Sequence, residues 1–137
     1  MKKRTAKAVW NGSGKDGSGK LSTQSGVLNN TQYSSKSRFE EGPGTNPEEL
    51  IAAAHAGCFA MKLSFVLQAS GLTAESLDVS AEVTIDNGTI TTSHLILKAK
   101  IPGITADKFK ESTEDARLNC PVSKLLNAKI TLDSSLV

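Results

Sequence analysis

Between Asn46-Pro47 and Ser70-Gly71 nothing in the chain interrupts a helix, and the apolar residues of that stretch fall on nearly every side of it. Its start is marked. Asn46 suits the N-cap, Pro47 suits the first helical position, and Glu49 three residues on completes a capping box. A helix that is apolar all round must be covered on most sides. One small sheet covers one face, so a second copy of the chain is the expected cover for another. With 137 residues and 38% hydrophobic content, the chain has the size of one domain, 1–137, with a core of its own.

Strands are expected on both sides of this helix. Thr5 to Trp10, Lys20 to Ser25 and Thr31 to Phe39 form an antiparallel meander, broken first by the turn-rich run Asn11 to Gly19 and later by Glu41-Gly42-Pro43-Gly44. Beyond Gly71, Leu77 to Ile85 and Thr89 to Lys100 alternate with strand period about Asp86-Asn87-Gly88, a hairpin signal. Thr105 opens an amphipathic helix running to about Leu118. Pro121 then starts a short helix and pushes Cys120 into its cap position, and Ala128 to Leu132 is a last strand. Strands grouped before and after a central helix make the class α+β.

Several partners are excluded. The net charge of +2 comes from 16 basic and 14 acidic residues spread along the chain, and aromatics are only 4%, so a nucleic-acid surface is not expected. Met1-Lys2-Lys3-Arg4 is not followed by an uninterrupted apolar segment, which argues against a secretion signal. Leu50 to Leu67 carries His55, Lys62 and Ser64, so it reads as a core helix rather than a membrane span. A soluble, cytoplasmic protein is expected, in a compartment where thiols stay reduced.

Gly12-Ser13-Gly14-Lys15-Asp16-Gly17 has the spacing of a dinucleotide fingerprint, but the strand-like Lys20 to Ser25 follows where a helix is required. Gly14 to Lys20 gives the spacing of a P-loop, with Leu21 where Ser or Thr is needed to bind magnesium. The segment reads as a hairpin loop. His55 and Cys58, three apart on the central helix, have a spacing compatible with metal ligation, yet a zinc site needs at least one further ligand from a distant segment. A hydrogen-bonded core histidine is the plainer reading. A Cys-His acyl-transfer pair is another, without a visible orienting group.

The two cysteines are the sharper feature. Cys58, in an alanine-rich apolar helix, reads by itself as a small buried hydrophobe whose thiol pKa is raised. Cys120 sits at the positive end of a helix dipole, with Arg117 and Lys124 near in sequence, and is the more acidic of the two on these grounds. Whether the two sulfurs meet is a matter for the tertiary structure.

The segment Gly44-Thr45-Asn46-Pro47-Glu48-Glu49-Leu50-Ile51-Ala52-Ala53-Ala54-His55-Ala56-Gly57-Cys58-Phe59 resembles the OsmC/Ohr family of organic hydroperoxide reductases, and Asn119-Cys120-Pro121-Val122-Ser123-Lys124 resembles its second motif. Ser37-Arg38-Phe39-Glu40 and Ala8-Val9-Trp10 are also similar, so the resemblance covers essentially the whole chain. His55 and the Arg38 segment are similar to the OsmC branch. Gly57 stands where alanine is expected, which bears on helix rigidity, and the hairpin at Asp86-Asn87-Gly88 is shorter than in relatives.

The resemblance implies an OsmC-like α+β fold, with antiparallel sheets from the N- and C-terminal halves around the central helix, in an intertwined homodimer. It implies a thiol-dependent peroxidase with Cys58 as peroxidatic cysteine, Cys120 as resolving cysteine, Arg38 as the cation near the thiolate and Glu48 holding that arginine. No cofactor or metal is expected. In this reading the Arg38 charge offsets the burial that would keep Cys58 protonated. Attack on an organic hydroperoxide leaves a sulfenic acid, Cys120 condenses with it to a disulfide, and an external dithiol, lipoyl-type compounds among the candidates, resets the enzyme. A pocket walled by Phe39, Phe59, Met61, Leu63 or Phe65 would favour apolar substrates.

Helix geometry adds one constraint. Ten positions separate Glu48 from Cys58, about 15 Å of rise on an unbroken helix, so the two do not share a small site within one chain. Two helices antiparallel about a two-fold axis would bring Glu48 of one copy toward Cys58 of the other. The rival readings are a binding module for a lipid-like or thiol ligand with structural cysteines, and a zinc protein built on His55 and Cys58.

Overall fold

The computed structural model describes residues Met1–Val137, and its contacts divide them into two compact units, Met1–Leu50 and Ile51–Val137. The class is α+β. Each unit contains one three-stranded sheet, and the long helix expected from the sequence is present.

In the first unit β1 (Ala6–Asn11), β2 (Ser18–Thr23) and β3 (Thr31–Ser34) form an antiparallel meander. The loop after β1 is the hairpin loop expected in place of a phosphate site. Gly12 has φ +96, Trp10 Nε1 donates to the carbonyls of Gly12 and Ser13 at 3.1 and 3.2 Å, and strand β2 follows, so no helix N-terminus is aimed at the glycines.

The third strand is shorter than expected. Thr31 to Phe39 reads as one strand in the sequence, but β3 stops at Ser34 and Ser35–Phe39 form a short helix, α1. The cause is a reciprocal cap: the Ser37 N–H donates to Ser34 Oγ at 3.1 Å and the Ser34 N–H donates to Ser37 Oγ at 2.8 Å. The Ser37 hydroxyl also donates to the Thr45 carbonyl at 2.9 Å, and Asn46 Nδ2 donates to the Ser37 carbonyl at 2.9 Å. Gly44 makes this return possible. It has φ +96, and a Cβ there would stand 2.1 Å from the Gln32 carbonyl oxygen.

Helix α2 spans Pro47–Ala69. Asn46 caps it as expected, its Oδ1 accepting the Glu49 N–H at 2.8 Å. Only half of the capping box forms, because the Glu49 carboxylate accepts a hydrogen bond from Thr45 Oγ1 at 2.6 Å instead. At the other end Gly71, with φ +75, closes the helix: Leu72 N–H donates to Leu67 O and Gly71 N–H to Gln68 O.

In the second unit β4 (Ser76–Asp86) and β5 (Thr89–Lys100) form the expected hairpin, Asn87 and Gly88 both taking positive φ as a two-residue turn requires. Helix α3 (Ala106–Asn119) and helix α4 (Pro121–Leu125) lead to β6 (Lys129–Leu136). The antiparallel expectation needs correcting here. β6 pairs with β5 in parallel, because the two helices carry the chain back across the sheet before it pairs.

Ser93, Leu95, Leu97 and Ala99 alternate inward along β5 and are fully buried. They meet a stripe of α2 spaced four apart, His55, Phe59, Leu63 and Leu67, together with Phe109, Ala116 and Cys120. The opposite stripe of α2 is uncovered in the single chain: Ala53, Ala54, Gly57, Met61 and Phe65 are exposed, Met61 and Phe65 by more than half at 63% and 62%. One sheet covers one side, and an apolar helix 23 residues long has more than one apolar side. By length and composition the helix could also span a membrane.

Candidate functional site

Cys58 lies on α2 one turn beyond His55. Cys120 sits between two helices, ending α3 and capping α4, its backbone held extended by Pro121 and its sulfur accepting the Ser123 N–H at 3.4 Å. Both thiols are free. They are neighbours: Cys58 packs against the core in which Cys120 is fully buried, and each thiol shifts the acidity of the other.

Their acidities differ. Burial pushes the Cys58 thiol up, a backbone hydrogen bond at Val122 opposes this, and the neighbouring Cys120 adds to the rise. Burial also opposes ionisation of Cys120, but hydrogen bonds from the Ser123 hydroxyl and N–H, from Cys58 and from the Val122 backbone outweigh it, and its thiol lies below the ordinary value. Cys120 is the more acidic sulfur, as its cap position led one to expect. No arginine or lysine is among the groups that shift either thiol.

His55 is the hydrogen-bonded core histidine of the plainer reading. It is fully buried, with Nδ1 2.6 Å from Ser93 Oγ and Nε2 2.8 Å from Ser123 Oγ, and burial lowers its pKa. Ser123 in turn touches Cys120, Oγ to Sγ at 3.5 Å. Neither serine was singled out from the sequence. Ser123 carried a signal, its place three residues after a helix cap, whereas Ser93 has only its inward parity on β5.

In the first unit the Arg38 guanidinium, carried by α1, meets the Glu48 carboxylate in the first turn of α2. Nη2 and Nε lie 2.8 and 2.9 Å from Oε1 of a carboxylate that is 7% exposed, while Oε2 has no partner. The guanidinium also stacks on Phe39 at 5.1 Å. A cavity beside this pair is lined by Trp10, Tyr33, Ser34, Arg38, Phe39 and Pro47. The four candidate residues therefore form two pairs, one in each unit. Of the apolar side chains expected to wall a pocket, Phe59 and Leu63 are fully buried in the core instead, while Phe39, Met61 and Phe65 are exposed.

Residues 40–135 match the family model for OsmC-like proteins. The chain belongs to the OsmC family. A peroxiredoxin OsmC from Escherichia coli (strain K12) is 45% identical over 137 residues, 97% of this chain and 96% of that protein. Among solved structures, an organic hydroperoxide resistance protein from Elizabethkingia anophelis is 26% identical with a TM-score of 0.71, covering 97% of this chain and 96% of that one. An OsmC-like protein from Mycoplasma pneumoniae, 18% identical, has a TM-score of 0.74 over 99% of this chain and 98% of that one, a likeness of fold. The OsmC match takes in Glu48, Cys58 and Cys120 and draws on both units.

Proposed function

We propose that this OsmC protein is a thiol peroxidase that reduces organic hydroperoxides to alcohols, with Cys58 as the attacking sulfur and Cys120 as its disulfide partner. The peroxidase class follows from family membership and from the 45% identity to a protein named peroxiredoxin OsmC. Organic hydroperoxides as the substrate are supported by the name of the 26% identical relative. The observation that carries the mechanism is the proximity of two free thiols, one fully buried and one partly exposed. Exposure argues for Cys58 as the sulfur that peroxide reaches, even though Cys120 is more acidic.

The Cys58 thiolate attacks the distal peroxide oxygen, the O–O bond breaks, the alkoxide leaves as alcohol, and the sulfur is left as sulfenic acid. Cys120 displaces water from it to form the disulfide, and a dithiol, with lipoyl-type compounds as candidates, reduces that disulfide. A cytoplasmic setting accords with a chain whose two cysteines are too few for a disulfide scaffold.

The cation that Cys58 lacks is assigned to Arg38, held by Glu48, from a second copy of the chain. Two observations support a homodimer with composite sites: the uncovered apolar stripe of α2, and the offset of ten positions along unbroken helix, about 15 Å, from Glu48 to Cys58. In this reading residues 1–137 act as one OsmC-like domain, consistent with a family match that draws on both units. Stoichiometric loss of cumene hydroperoxide in the presence of dihydrolipoamide is the deciding assay. A protein that binds the hydroperoxide without consuming it would be a binding module with structural cysteines.

A further inference from the structure

We propose that Ser123 and His55 form a proton relay for Cys120, carrying its thiol proton away as the disulfide with Cys58 closes. This rests on the peroxidase reading above. Ser123 is the catalytic member, since its Oγ lies 3.5 Å from Cys120 Sγ, and His55 is a positioning residue that acts through it.

The geometry begins with a fully buried imidazole whose two nitrogens each face a serine hydroxyl, Ser93 at 2.6 Å and Ser123 at 2.8 Å. A neutral imidazole has one donor and one acceptor, so one serine donates to the ring and the other accepts from it. With Nδ1–H donating to Ser93, Nε2 accepts the Ser123 O–H, and the Ser123 oxygen is free to accept the S–H of Cys120. The donors then run in one sense, from Cys120 through Ser123 to the ring. Once the ring has taken the proton, Nε2–H donates to the Ser123 oxygen and the hydroxyl turns to donate to Cys120 Sγ, alongside the Ser123 N–H at 3.4 Å, both stabilising the thiolate. Burial lowers the pKa of the ring, so it rests neutral with a lone pair on one nitrogen, and any proton it takes is held only briefly.

In the step itself Cys120 Sγ attacks the sulfur of the Cys58 sulfenic acid, an S–S bond forms and the S–O bond breaks. The Cys120 proton passes to Ser123 Oγ as the Ser123 proton passes to His55 Nε2. The hydroxide leaving the partly exposed Cys58 takes a proton from solvent and becomes water, and the ring then gives its extra proton up to solvent, so the step balances. Cys120 is oxidised, the sulfenic sulfur of Cys58 is reduced, and the oxidising equivalents are those already taken from the peroxide.

A histidine that merely ties α2, β5 and α4 together is replaceable by glutamine, whose amide both donates and accepts but does not take up a proton. Reduced His55→Gln protein is mixed with one equivalent of cumene hydroperoxide, and hydroperoxide loss and dimedone-reactive Cys58 are followed separately. Hydroperoxide loss should stay within about twofold of the unmodified protein, and the sulfenic acid should live about a hundredfold longer or more, the lower range for general acid–base assistance. Ser123→Ala should slow closure likewise, and the double variant should be no slower than the slower single. A second route needs no peroxide: dithionitrobenzoate places a thionitrobenzoate on Cys58, and its release reports attack by Cys120. If the unmodified protein consumes no hydroperoxide, the peroxidase reading fails, while slowed release in the variants still upholds the relay. Unmodified rates of disulfide closure and of thionitrobenzoate release in a folded His55→Gln or Ser123→Ala protein overturn it, as do multiplicative effects in the double variant.

Discussion

Arg38 places two nitrogens on a single oxygen of Glu48, Nη2 at 2.8 Å and Nε at 2.9 Å, and leaves the other carboxylate oxygen buried without a partner. The carboxylate fixes the direction of the guanidinium, and the arginine retains N–H groups for another anion. A thiolate from a second copy of the chain is the anion the proposed mechanism supplies.

Arg38→Ala should therefore raise the Cys58 thiol pKa in the assembled protein and slow peroxide attack by about tenfold or more near neutral pH. Glu48→Gln keeps an acceptor for the guanidinium and should do less harm. The check is the pH profile of Cys58 alkylation. A profile unchanged in Arg38→Ala would remove Arg38 from the site.

Cys58→Ser should abolish peroxidase turnover, whereas Cys120→Ser should consume one equivalent of hydroperoxide and stop with a sulfenic acid on Cys58. The lower thiol pKa of Cys120 pulls toward the opposite assignment, so the test discriminates. Dimedone labelling of Cys120 in a Cys58→Ser protein that keeps its burst would reverse the roles.

If each site draws on two chains, a heterodimer of Glu48→Ala and Cys58→Ser chains has one site with Glu48 and Cys58 both intact. Coexpression with different tags isolates it. Activity per Cys58 above that of the Glu48→Ala homodimer is expected, provided Glu48→Ala alone is clearly impaired. Activity no higher than that residual level would assign each site to one chain.

Met61 and Phe65 stand 63% and 62% exposed on the uncovered stripe of α2. Like charges there, as in Met61→Glu with Phe65→Glu, should convert a dimer to monomer in light scattering, because burying either without a partner would cost several kcal/mol. A dimer of unchanged affinity would place the interface elsewhere.

His55 should mark the acid limit of stability. Burial lowers its pKa from 6.5, so the folded state binds fewer protons than the unfolded state just below that value. Its contribution is fully present above about pH 6.5 and is lost as pH falls through the folded-state pKa. Urea midpoints of His55→Gln should fall less steeply than those of the unmodified protein between pH 6.5 and the folded pKa. Parallel slopes would show that another group carries the loss.

Much of this was legible along the chain because it is local. Asn46 and Pro47 begin α2, Gly71 ends it, Asn87-Gly88 turns the hairpin, Thr105 caps α3 and Cys120 caps α4. Each of these depends on a side chain meeting backbone within a few residues, or on the φ that glycine and asparagine tolerate. The misread end of the third strand also has a local cause, the Ser34–Ser37 cap, which competes with the strand pattern of Thr31 to Phe39.

What required the tertiary structure depends on residues far apart in the chain. The direction of β6 was set by the path through α3 and α4, which strand periodicity does not encode. Cys58 and Cys120 are neighbours across 62 positions (120 − 58), and His55 finds Ser93 and Ser123 across 38 and 68. Two thiols and a histidine announce possible chemistry by their types alone. Which of them touch, and which is the more acidic, follows from burial and from hydrogen-bond partners that only the packed chain brings within reach.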